Sequence, residues 1–87
     1  MMTNKLSLTL YSTLGCHLCE LAEDVACQSA DSLHIQLNTV DIADHETLLK
    51  EFGTRIPVIK NILTGEEIAW PFDLNTFDRW LAHQLNK

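Results

Sequence analysis

Two cysteines separated by two residues, Cys16 and Cys19, stand where a strand periodicity gives way to a helical one, and few folds accept that arrangement. Upstream, Leu6, Leu8 and Leu10 alternate with Ser7, Thr9 and Tyr11, the pattern of a strand with one covered face. Downstream, Leu18, Leu21, Ala22, Val25 and Ala26 recur at helical spacing, so a helix starts at or just after Cys16 and fades near Ser29 to Ser32. Ser12-Thr13-Leu14-Gly15 between them is turn-like. The spacing of the cysteines is one helical turn, which puts both sulfurs on one side of the helix start.

That position has chemical consequences. A helix N-terminus offers unpaired backbone N–H groups and the positive end of its dipole, and both favour a thiolate over a thiol. Such surroundings bring a cysteine pKa from about 8.5 into a range of roughly 3.5–7.5. Cys16, the outer residue, is then the candidate nucleophile; Cys19, one turn in and more covered, is the candidate that resolves a mixed disulfide. The same spacing also serves zinc sites, but a structural zinc needs four ligands. Cys27, His17, His34, His45 and His83 supply no second close pair, so no metal ligands are assigned. Glu20 after Cys19 excludes covalent haem attachment, which needs a histidine there. A redox pair, a metal-binding module and a purely structural pair all remain open. The strand–loop–helix setting favours the redox pair.

The rest of the chain continues an alternation of strands and helices. Ile35 and Leu37 alternate, then Val40 and Ile42 do so in the opposite phase, which suggests one strand with an irregularity near Asn38-Thr39. Asp44 is placed to cap a short helix over residues 45–52, with Leu48, Leu49 and Phe52 facing inward and Gly53 at its end. Pro57 opens a strand at Val58-Ile59, Thr64-Gly65 is a turn, and Ile68-Ala69-Trp70 returns as a hairpin partner. Asp73 caps a last helix whose apolar stripe is Leu74, Phe77, Trp80, Leu81 and Leu85. The order is β-α-β-α-β-β-α, with parallel first strands joined by a right-handed crossover, an antiparallel hairpin, and helices on both faces of the sheet.

Eighty-seven residues form one domain, residues 1–87. A net charge of −6 with only six lysines and arginines argues against a nucleic-acid partner, since phosphate binding needs clustered cations. No run approaches the ~20 apolar residues of a membrane span. Met1 to Leu10 shows no cleavable apolar segment, which points to the cytoplasm, where thiols are kept reduced.

Several residues near the pair admit two readings. His17, protonated, would stabilise a neighbouring thiolate, or it is a solvated surface residue. Arg55 would hold a substrate carboxylate or the Cys16 thiolate, or it is an ordinary loop arginine. Ile56-Pro57 is either a trans strand opener or a cis bond that turns the Ile56 backbone toward the sulfurs, where an extended substrate could add as a strand. Trp70 and Phe72 wall a groove or belong to the core, and Tyr11 borders the site. Glu20, Glu23 and Asp24 are accounted for by the helix dipole. Cys27 is expected as a buried filler rather than a regulatory thiol, and about 12 Å of helical rise from Cys19 puts it beyond the ~7 Å that a disulfide spans.

Gly15-Cys16-His17-Leu18-Cys19 after a strand, Val40-Asp41-Ile42, and Arg55-Ile56-Pro57-Val58 resemble the thioredoxin superfamily. The short length, Cys-His-Leu-Cys-Glu and Trp70-Pro71-Phe72-Asp73 resemble small bacterial glutaredoxin-like proteins over roughly residues 6–85. The resemblance implies an α/β thioredoxin/glutaredoxin-like fold with a four-stranded mixed sheet, a cis-proline at Pro57 and Cys16 as the attacking thiol. It implies a thiol–disulfide oxidoreductase acting on a protein or small-thiol disulfide, with Cys16 and Cys19 catalytic; His17, Arg55, Ile56 and Pro57 are candidate substrate-binding residues by their own place and chemistry, although Arg55-Ile56 stands where the family has Thr-Val. No bound cofactor is called for. The sequence departs from the dithiol glutaredoxin pattern where His17-Leu18 replaces Pro-Tyr, Thr13 replaces a lysine, and Trp70-Pro71 replaces a Gly-Gly pair, with Asp73 corresponding to the aspartate that follows. Much of the usual glutathione pocket is thus absent or rebuilt, and glutathione stands as a rival co-substrate. Cys19 argues against the monothiol, cluster-sharing role.

Overall fold

In the computed structural model the N-terminal alternation becomes β1 (Leu6–Ser12), and the cysteine pair opens α1 (His17–Gln28). The structure describes residues 5–86, so Met1 to Asn4, part of the stretch read for a leader, and Lys87 lie outside it. A short 3-10 helix, Ser32–His34, leads into β2 (Ile35–Asp41), and a second, Ile42–Asp44, leads into α2 (Glu46–Phe52). The hairpin β3 (Val58–Asn61) and β4 (Glu67–Ala69) precedes α3 (Leu74–Leu85). The sheet order is β2-β1-β3-β4, with β1 and β2 parallel and the other neighbours antiparallel. This is the expected mixed α/β fold.

The two faces of the sheet carry separate cores. Leu8, Leu10, Ile59 and Ile68 pack against Ala22 and Ala26 of α1 and Phe77 and Leu81 of α3. On the other face Tyr11 and Val58 pack against Ile42 and Phe52, below α2. Each large apolar side chain so buried contributes roughly 1.5–3 kcal/mol relative to exposure.

This division explains the phase change in β2. The register from Leu6↔Ile35 to Ser12↔Asp41 is unbroken, so there is no irregularity at Asn38-Thr39. Ile35 and Leu37 serve the α1/α3 face, and Val40 serves the α2 face, because different helices cover the two ends of one regular strand.

Two details of α2 also differ from expectation. Ile42 is buried and draws the chain into a turn straight after β2. Asp41 caps that turn, accepting the Ala43 N–H at 2.9 Å, so Asp44 lies within it and does not cap α2, which follows His45 without a side-chain cap. A seven-residue helix has room for one inward pair, Leu48 and Phe52, and Leu49 is left exposed.

The hairpin turns at Gly65, whose φ of 78° suits a residue without Cβ. Asp73 caps α3 as expected, accepting the Thr76 N–H at 2.7 Å. A polar tie unforeseen in the sequence joins hairpin to helix: buried Asn61 donates Nδ2–H to Gln84 Oε1 at 2.8 Å, and the Thr64 hydroxyl donates to the same oxygen at 3.2 Å. Ser29 at the end of α1 donates its hydroxyl to Asp78 of α3.

Candidate active site at the start of the first helix

Cys16 is the cap residue of α1, not its first helical residue. Its backbone is extended, its carbonyl accepts the Glu20 N–H at 3.3 Å, and its Sγ accepts the Cys19 N–H at 3.1 Å. Gly15, with φ of 76°, makes the bend that delivers Cys16 to that place, and the Cys16 N–H closes the turn on the Thr13 carbonyl at 3.2 Å. The sulfur thus takes the role usually filled by a serine or aspartate oxygen, meeting one of the donors that a helix start leaves unpaired.

Cys16 and Cys19 are joined as a disulfide with their Cα atoms 5.2 Å apart. The pair is asymmetric: Cys16 is half-buried and Cys19 is only 4% exposed. Cys16 is thus the more solvent-accessible residue of the two. A hollow of about 200 Å³ lies beside them, lined by residues 12–15, both cysteines, Glu20 and Glu23, with Leu10 behind. Among the described residues no lysine or arginine lines it.

The other candidate residues divide. His17 is exposed, with Nδ1 3.6 Å from Glu20 Oε2. Antiparallel pairing of Tyr11 with Val58 brings the start of β3 to the end of the sheet from which the cysteine loop leaves. Ile56 and Pro57 therefore share that end, and their peptide bond is cis. The Ile56 N–H is already used, donating to the Phe52 carbonyl at 3.1 Å, and the Pro57 carbonyl accepts the Trp70 N–H at 3.0 Å. A second cis bond, Trp70–Pro71, had no forecast in the sequence reading. The Arg55 guanidinium is engaged elsewhere: NH1 meets Glu67 Oε1 at 3.1 Å, Nε donates to the Glu51 carbonyl at 3.3 Å, and the group lies 5.1 Å over the Phe52 ring.

Phe72 and Tyr11 are core residues, 7% exposed each, and Trp70 packs edge-on against Phe72 at 5.0 Å. Cys27 corrects the buried-filler expectation, because it is a free and exposed thiol. The inward positions of α1 are Cys19, Ala22 and Ala26, and the residue after Ala26 turns about 100° away from that stripe. Glu20 and Glu23 are the site residues that sequence reasoning assigned to structure alone. They follow Cys16 and Cys19 by four residues each, and that spacing places them over the sulfurs' side of the helix. Among the described residues no group of three or more His, Cys, Asp or Glu side chains is arranged to hold a metal ion. Among them also, no helix is long and apolar enough to cross a membrane.

Residues 7–82 match the family model described as Glutaredoxin-like domain (DUF836). The chain is similar to the X-ray structure of target protein XcR50 from X. campestris, at 34% identity and a TM-score of 0.75, over 87% of this chain and 96% of that one. The solution structure of XcR50 gives 34% identity and a TM-score of 0.73, over 87% of this chain and 92% of that one. No curated protein matches the chain.

Proposed function

Since the chain belongs to the glutaredoxin-like family of the thioredoxin superfamily, we propose that it is a thiol–disulfide oxidoreductase in which Cys16 attacks and Cys19 resolves. The observation that carries this reading is the Cys19 N–H aimed at the Cys16 sulfur at a helix start, with the second sulfur already within bonding reach. In the reduced protein the same N–H and the dipole of a 12-residue helix face the Cys16 thiolate and favour its charge.

The reaction proceeds in two exchanges. The Cys16 thiolate attacks one sulfur of a substrate disulfide, forming a mixed disulfide and expelling the other sulfur as a thiolate that takes up a proton. Cys19 then loses its proton and attacks Cys16, releasing the second substrate thiol and leaving the Cys16–Cys19 disulfide. The substrate gains two electrons and the protein loses two. An external thiol reductant restores the dithiol, glutathione being one candidate of that class. The electrons reside in the two sulfurs, so the chemistry requires no bound cofactor.

Ile56 and Pro57 are the proposed shelf for an extended substrate, through the Ile56 carbonyl, since its N–H is held by Phe52. His17 borders the entrance. Arg55 acts by holding this shelf to Phe52 and Glu67. The proposed setting is the cytoplasm, in redox homeostasis.

The test is a pair of variants assayed on a model disulfide. Cys16→Ser abolishes reduction, and Cys19→Ser accumulates a mixed disulfide on Cys16. An active Cys16→Ser protein overturns the assignment. A coupled assay with glutathione and its reductase then decides whether glutathione is the reductant.

A further inference from the structure

The surroundings of the sulfurs are acidic and apolar together. Glu20 and Glu23 line the hollow that holds Cys16 and Cys19, and Asp24 adjoins them in a second hollow on the same side of α1. Glu23 and Asp24 have no ion-pair partner among the described residues, and Glu20 has only His17 at 3.6 Å. Arg55, two residues before Pro57, is bound to Glu67. Leu14, which lines the same hollow, is 90% exposed, and Leu18, between the two cysteines in sequence, is 46% exposed.

We propose that the disulfide reduced here belongs to a polypeptide carrying lysine or arginine beside its cysteines, which Glu20 and Glu23 draw to Cys16. The proposal rests on the dithiol reading above. Charge complementarity carries it. The attacking Cys16 thiolate adds a further negative charge to a hollow that no lysine or arginine among the described residues lines, so an anionic disulfide is repelled during its approach. Glutathione disulfide, with more carboxylates than ammonium groups, belongs to that disfavoured class. A basic flank gains attraction instead, and the longer chain covers Leu14 and Leu18, which a small thiol leaves in water. The chemistry is unchanged: the peptide disulfide takes two electrons and becomes two thiols, the Cys16–Cys19 pair becomes a disulfide, and a dithiol reductant resets it.

The experiment follows single-turnover oxidation of the fully reduced protein by two peptide disulfides of equal length, one with lysine and one with glutamate on each side of its cysteines, and by glutathione disulfide. The lysine peptide reacts about tenfold faster than the glutamate peptide at low salt, the scale of electrostatic steering by a few charges. Glutathione disulfide falls with the glutamate peptide. The ratio shrinks in about 0.5 M salt, where screening is strong, and in the Glu20→Gln/Glu23→Gln variant. Equal rates for the two peptides, or a ratio unchanged in that variant, overturn the selectivity while leaving the dithiol reaction intact. A protein that neither peptide oxidises overturns the dithiol reading and the selectivity together.

Discussion

Tyr11 and Phe52 lie ring on ring, their centroids 4.2 Å apart and their planes 15° from parallel. Tyr11 stands five residues before Cys16, and Phe52 five residues before Pro57. The stack therefore joins the strand that leads to Cys16 to the helix that leads to Pro57, and Arg55 lies over the same Phe52 ring. A stacked aromatic pair is worth about 0.5–1.5 kcal/mol beyond its burial, and truncating a buried phenylalanine to alanine costs about 3–5 kcal/mol. Phe52→Leu keeps most of the apolar volume and removes the stack. Urea unfolding is expected to show a loss of about 1 kcal/mol, with slower reduction of a model disulfide as the two loops lose their common anchor. An unchanged rate in a destabilised Phe52→Leu protein counts against this coupling.

The Asn61–Gln84 contact makes a second prediction. Both side chains are buried, and Gln84 also donates Nε2–H to Glu66 at 3.2 Å. Gln84→Leu leaves the Asn61 amide without that acceptor, and a buried unmet polar group costs about 1–3 kcal/mol. The Asn61→Leu/Gln84→Leu double variant is expected to recover part of the loss in denaturant unfolding, because the buried Asn61 amide leaves with its acceptor, although the Leu63 N–H and the Thr64 hydroxyl lose theirs. Additive losses contradict the pairing.

Asp73 gives a pH-dependent prediction. Its carboxylate is held below the usual value of 3.8, chiefly by the Thr76 backbone N–H, then by the Thr76 side chain, with a smaller contribution from Arg79. A carboxylate whose folded pKa is depressed binds its proton less readily in the folded state than in the unfolded one. Its stabilisation is complete above about pH 4 and fades as pH falls through the folded value. Asp73→Asn retains a cap without a charge. Thermal melts are expected to show a shallower decline below pH 4 in this variant than in the native protein, and parallel acid limbs rule the contribution out.

Much of the architecture was legible in local pattern. The stripe Leu18, Leu21, Ala22, Val25 and Ala26 marked α1, and the C-terminal stripe marked α3, because amphipathic periodicity is written in neighbouring residues. The cysteine pair was legible for the same reason, its spacing and its place after a strand both being local. What escaped depends on tertiary layering. The phase change in β2 is produced by different helices covering opposite faces, which no seven-residue window contains. Asp44 caps no helix, because burial of Ile42 folds residues 42–44 into a turn of their own, capped by Asp41, and α2 then starts after His45 without a side-chain cap. The Asn61–Gln84 tie spans 23 residues of sequence and carries no periodic mark. Cys27 was misplaced by composition, since cysteine is often buried, although its helical position one past Ala26 points outward. Glu20 and Glu23 were visible as first-turn acids, and their four-residue offset from the two cysteines was the unused signal.

The proposed reaction requires the helix start to hold the Cys16 sulfur as an anion. Glu20 and Glu23 oppose this, but exposed charges act through water and are screened, at about 1 kcal/mol or less each. A hydrogen bond to a charged group contributes about 1.5–3 kcal/mol, and the dipole adds to it. The direct measurement is the rate of Cys16 alkylation by iodoacetamide against pH, in fully reduced Cys27→Ser protein so that the exposed third thiol does not report. The rate is expected to rise to a plateau with a midpoint within roughly pH 3.5–7.5. A midpoint at or above about 8.5, the value of an unassisted thiol, contradicts the account.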